Sequence, residues 1–117
     1  KTKNTPARKT QPPAINYFDI DISGQYTVSG VNPGGGKYKG TAKIEKTGST
    51  YQIKWSINQG ATFVGTGIVI DDVFAVGYQG KGVPGVIAYE IEEGRLIGKW
   101  AIDKKGSVQS EVLTLME

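Results

Sequence analysis

Three times in this chain a large apolar residue, a spacer and a glycine are followed by another apolar residue four positions on. The copies are Tyr38-x-Gly40…Ile44, Phe63-x-Gly65…Val69 and Leu96-x-Gly98…Ile102. Each lies in a segment whose residues alternate or nearly alternate in polarity, the two-residue period of a half-buried strand. Glycine weakens a strand, so a glycine inside one marks a bend, a bulge or the close approach of a bulky neighbour. Three at matching places imply one device repeated to curl a sheet.

The rest of the chain fits that reading. No stretch carries sustained helical periodicity. Short segments rich in Val, Ile, Tyr and Thr are separated by glycine or polar turns, the spacing of an all-β sandwich or barrel. Eight strands are expected, at about 24–30, 37–46, 51–58, 61–70, 73–79, 85–92, 95–103 and 107–116. Every connection is short enough for antiparallel neighbours. The natural closure is an eight-stranded antiparallel up-and-down β-barrel of calycin-like type, which removes sheet edges altogether.

Composition narrows the chemistry. The 117 residues fit one domain, and 17 of them are glycine without any collagen-like period. Cysteine and histidine are both absent. That excludes disulfides, thiolate metal sites, thiol nucleophiles and the commonest general base. The formal charge of +3 is unevenly placed: Lys1, Lys3, Arg8 and Lys9 fall in the first fourteen residues, leaving 10 basic and 11 acidic residues in the remainder. With Pro6, Pro12 and Pro13 also in that stretch, residues 1–16 read as a disordered basic leader and 17–117 as the barrel domain. A start at Lys1 suggests a processed chain, with a signal peptide, tag or upstream domain removed, and suits a secreted or periplasmic protein.

Pairing the strands gives the glycines a role. A two-residue turn at Glu93-Gly94 sets Tyr89 opposite Gly98. A register through residues 58–61 sets Trp55 opposite Gly65 and Ile57 opposite Phe63, and folding about residues 31–36 sets Tyr26 opposite Gly40. Each pair would lay an aromatic ring over bare backbone, the arrangement called aromatic rescue.

Connections in such a barrel alternate between its ends. One end collects the tight turns; the other collects residues 31–36, 58–61, 79–85 and 104–107. The second is the expected mouth. Tyr38, Trp55, Phe63, Tyr78 and Trp100 point inward near it, with Asn32, Gln79 and Lys81 at the rim, and these eight form the candidate ligand-binding set. The competing reading makes the same aromatics a packed core, since small barrels fill with side chains. A ligand barrel calls for roughly 300 Å³ or more of open space at that end. The segment Thr62 to Ile70 is apolar on both faces, which suits an outer contact with a protein partner or a second copy.

Catalysis has little to stand on. Asp71-Asp72 forms a turn. Glu90, Glu92 and Glu93 are balanced by Arg95 and Lys99. Asn32-Pro33-Gly34-Gly35-Gly36 joins strands rather than opening a helix, as a phosphate loop would. The Lys37, Lys39, Lys43 and Lys54 stripe reads as a solvated wall, not a nucleic-acid face. The expected function is therefore a non-enzymatic binding protein for a small-molecule or lipid ligand, with no metal and no cofactor. A protein-interaction or adhesion module using the outer wall is the alternative, and an enzyme comes third.

The run Gly24-x-Tyr26-x-Val28-x-Gly30-x-Asn32-Pro33-x-Gly35-x-x-Tyr38-x-Gly40 resembles the opening of a family of small secreted bacterial β-barrel proteins, some of them labelled fibronectin-binding proteins. The similarity continues through Tyr51…Trp55-x-Ile57, Gly65-x-Gly67, Gly85-Val86…Tyr89-x-Ile91 and Gly94-x-Leu96-x-Gly98-x-Trp100 to Glu111…Leu113-Thr114. The resemblance implies export behind a signal peptide and, through the label, an extracellular-matrix partner. Tyr26 also occupies the place where lipocalin-like barrels carry tryptophan. Avidin-like chains share the length and the glycine–aromatic texture, but no biotin-binding set carries over.

Overall fold

The computed structural model describes residues 20–116. The leader expected over 1–16 lies outside them. The chain forms eight strands: β1 (Gly24–Val31), β2 (Lys37–Thr47), β3 (Thr50–Ile57), β4 (Ala61–Ile70), β5 (Val73–Gly80), β6 (Val83–Glu92), β7 (Arg95–Ile102) and β8 (Gln109–Leu115). Each strand pairs antiparallel with the next, and β8 returns to β1 to close an up-and-down barrel. The strand ends agree with those expected from the sequence to within two residues.

Alternation produces the wall. On β3, Tyr51, Ile53, Trp55 and Ile57 are buried while Gln52, Lys54 and Ser56 are exposed. Tyr89, Phe74 and Leu113 are completely buried, and Ile44, Ile53 and Leu96 nearly so. At the short-turn end the chain before β1 folds under the barrel. Ile22 is buried there, and its carbonyl accepts a 2.7 Å hydrogen bond from the Tyr26 hydroxyl. Residues 20–22 cover part of this end.

Two registers differ from those read in the sequence. Residue 61 already pairs with Ile57, so Trp55 faces Phe63, and Gly65 faces Ile53. Asn58 and Gln59 take positive φ to make this tighter loop. In the first hairpin Tyr26 faces Ala42, and Gly40 faces Val28. Gly40 instead admits the neighbouring backbone: a Cβ there would sit 2.1 Å from the Ser56 carbonyl oxygen. Tyr89 does face Gly98. Of the three expected ring–glycine pairs, at least two of which should have been direct cross-strand neighbours, only Tyr89–Gly98 is one; rings do cover glycines, but mostly other ones. Rings lie over Gly30 (Tyr38), Gly80 (Phe63), Gly67 (Phe74), Gly85 (Tyr78) and Gly98 (Tyr89), each occupying the space a Cβ would need.

The loops at the mouth also change. The connection expected over 79–85 is a two-residue turn, Lys81-Gly82, with both residues at positive φ as a type I′ hairpin requires. The longer connections there are residues 32–36, held by Asn32 N–H to the Gly36 carbonyl at 2.7 Å, and residues 103–108.

Candidate functional site

The polar centre of the barrel is Glu111, a residue the sequence reading passed over. Its inward position on β8 is flanked by Gly30 on β1 and Gly98 on β7, its direct partners on either side. Neither neighbour has a side chain, so rings from one strand further out lean across. Tyr38 crosses Gly30 from β2, and its hydroxyl donates to Glu111 Oε1 at 2.6 Å. Tyr89 crosses Gly98 from β6 and donates a short hydrogen bond to Oε2. From β3, Trp55 Nε1–H donates to the same Oε2 at 3.0 Å. The glycines thus do more than curve the sheet. They let two tyrosines reach a carboxylate two strands away.

Burial pushes the Glu111 carboxyl above the ordinary range, and the three donors, which favour its charged form, oppose that shift. The same burial, with the Glu111 charge beside them, pushes the Tyr38 and Tyr89 hydroxyls upward, so both stay protonated as donors at neutral pH. Tyr78 is pushed up to about 12 by burial first and then by Glu111. Ion pairs among the described residues join Lys43 to Glu45 and Arg95 to Glu92, both on the surface. Among those residues no cation pairs with Glu111.

Above this clamp a cavity of about 90 Å³ opens toward the mouth, lined by Asn32, Tyr38, Trp55, Ile57, Phe63, Tyr78, Ile87, Trp100 and Glu111. The rings brace one another edge to face: Tyr38 with Trp100 at 6.2 Å between centroids, Trp55 with Tyr78 at 5.7 Å, and Phe63 with Tyr78 at 6.4 Å. Trp100 Nε1–H is buried near the Tyr38 hydroxyl, yet has no acceptor in hydrogen-bonding geometry among the described residues. On the β7–β8 side Gln109, also buried, donates to the Trp100 carbonyl at 3.1 Å and accepts from Ser107 at 2.7 Å, fixing the loop at the rim.

The structure brings together Tyr38, Trp55, Phe63, Tyr78, Trp100 and Asn32 of the candidate set. Gln79 and Lys81 stay apart. Gln79 follows inward Tyr78, so alternation turns it to the exposed face, and Lys81 occupies the exposed turn. The cavity is also smaller than the 300 Å³ expected, because Tyr38, Tyr89 and Trp55 converge on Glu111 and fill the middle of the barrel. A second cleft of about 350 Å³ lies at the short-turn end, between the chain at Ile20–Ile22 and the β6–β7 turn.

The outer wall is two-sided. Lys37, Lys39, Lys43 and Lys54 cover the β2–β3 side, whereas Val64, Ile68, Ile70 and Val86 stand exposed on β4 and β6.

Family models and curated proteins give no match to the chain. Solved structures do match in fold. A redesigned β-barrel superposes with a TM-score of 0.71 at 15% identity, covering 82% of this chain and 92% of that one. A second redesigned barrel, mFAP1, bound to DFHBI, gives 0.67 at 16% identity over 80% and 94%. The REP1-NXSQ fatty acid transporter gives 0.54 at 13% identity over 82% and 96%. This chain has the fold of these barrels.

Proposed function

We propose that the protein is a non-enzymatic binding protein whose small-molecule ligand enters the long-loop end of the barrel. One observation carries this reading: an open cavity lined by five aromatic rings and a hydrogen-bonded carboxylate, at an end that the described residues leave open. Comparable barrels that hold a dye or are described as carrying fatty acid support it. The volume sets the size of what enters. A cavity of about 150 Å³ holds benzene and a water takes about 30 Å³, so about 90 Å³ accepts a head group smaller than a benzene ring, with the rest of the ligand outside. Catalysis is disfavoured because the Glu111 oxygens are engaged by tyrosine and tryptophan donors rather than set against a nucleophile. The test is the indole resonances and emission of Trp55 and Trp100 across a ligand panel. A response of both is expected, and silence of both would reject the site.

A second reading rests on the outer wall. Val64, Ile68 and Ile70 on β4 and Val86 on β6, either side of β5 and 45–61% exposed, suit a protein partner. Ile68→Thr together with Val86→Thr should then abolish partner capture while leaving the fold intact. Capture undiminished by both substitutions would reject this reading.

A further inference from the structure

We infer that the ligand head taken by this cavity is a small organic cation, an amine or quaternary ammonium group; this rests on the proposed use of the mouth as a binding site. Glu111 is 5% exposed, and the groups that contact it, Tyr38, Trp55 and Tyr89, are all neutral donors. Hydrogen bonds of this kind disperse a negative charge but do not cancel it. A buried carboxyl either pairs with a cation or holds its proton, and among the described residues no cation pairs with this one. The missing positive charge is what a ligand can supply.

The walls select the same chemistry. Aromatic rings carry negative faces that attract ammonium groups, more strongly once water is displaced, and five of the lining residues are aromatic. A carboxylate or phosphate head entering the same space would meet the Glu111 charge at short range in a poorly solvated site. The exposed lysines toward the mouth, Lys37, Lys81, Lys104 and Lys105, do not reverse this preference. Charges in solvent are screened over about 8–10 Å at moderate salt, whereas a buried charge is screened far less.

Choline and 3,3-dimethylbutan-1-ol test the inference directly, because they share shape and hydroxyl and differ in the charge. Titration of the intact protein, followed by calorimetry and by the Trp55 and Trp100 indole resonances, should show choline binding at least tenfold more tightly than the neutral isostere. 3,3-Dimethylbutanoate should bind more weakly than either. In Glu111→Gln the advantage of choline should shrink to within about threefold. Equal binding of choline and the alcohol, or tighter binding of the carboxylate, overturns the cation inference while leaving the binding site in place. Failure of all three probes to bind overturns the site itself and the inference with it. The wild-type comparison decides the matter even if Glu111→Gln does not fold.

Discussion

Adding one methyl group at Gly30 should cost more than losing a buried hydrogen bond. A Cβ there would lie 2.1 Å from Tyr38 Cζ and 2.2 Å from its hydroxyl oxygen. Restoring ordinary contact at 3.4 Å requires the ring tip to retreat by about 1.3 Å. The ring is confined: Tyr38 is 7% exposed and braced by Trp100. Its 2.6 Å bond to Glu111 cannot survive a retreat of that size away from the carboxylate. Loss of a hydrogen bond to a charged group costs about 1.5–3 kcal/mol, and overpacking adds about 1–3 kcal/mol. Gly30→Ala is therefore expected to destabilise by about 2.5–6 kcal/mol, a large share of the ~5–15 kcal/mol that holds a domain folded. Urea unfolding followed by far-ultraviolet circular dichroism measures it. Gly77→Ala is the control, since a Cβ there meets nothing within 4 Å, and should stay within about 0.5 kcal/mol. The decisive comparison is Gly30→Ala in a Tyr38→Leu background, where the hydroxyl and ring tip are gone. The cost should fall below about 1 kcal/mol, revealing strong coupling between the two positions. An unchanged cost in that background would refute the account of Gly30 as room for Tyr38.

Other outcomes follow from the same site. Because burial holds the folded Glu111 carboxyl above its unfolded value near 4.5, the native state retains that proton to higher pH than the unfolded chain. Stability contributed by this group should fall as pH rises from about 4.5 through the folded value, then level off; urea midpoints of wild type minus Glu111→Gln across that window check the sign, and a difference that grows with pH would contradict it. Tyr89→Phe removes a donor from a buried carboxylate and should lower stability by about 1.5–3 kcal/mol, read from the same unfolding curves. Trp100→Phe deletes a buried N–H that has no acceptor, so it should cost less than about 1 kcal/mol beyond the lost ring area. A larger loss would mean that the indole nitrogen is satisfied.

The strands were legible because period-two alternation survives in most of the segments, and the turns were legible where their chemistry is local. Glu93-Gly94 fixes its register with one positive-φ glycine, and Tyr89 then meets Gly98 as expected. Longer connections carry no such constraint. The register across residues 32–36 shifted by two, which preserves the faces but changes every partner, and so the aromatic mouth emerged while its glycine pairings did not. Glu111 was hidden for a different reason. On β8, inward Gln109, Glu111 and Leu113 alternate with outward Ser110, Val112 and Thr114, so polarity does not distinguish the faces. The signal that finds it is spatial: two glycines on separate strands, Gly30 and Gly98, opposite one acidic residue.

The clamp also has an order in time. Glu111 is 73 residues from Tyr38 and 56 from Trp55, and it lies on the strand that closes the barrel. Contacts so distant in sequence form late, after the chain has paid for closing its loops. Without β8 the three donors lack their shared acceptor. Staves β1 to β7 can pair in sequence, and Tyr89 lies only 22 residues from Glu111, but Tyr38 and Trp55 reach it only once β8 meets β1, so closing the barrel and completing the binding site coincide.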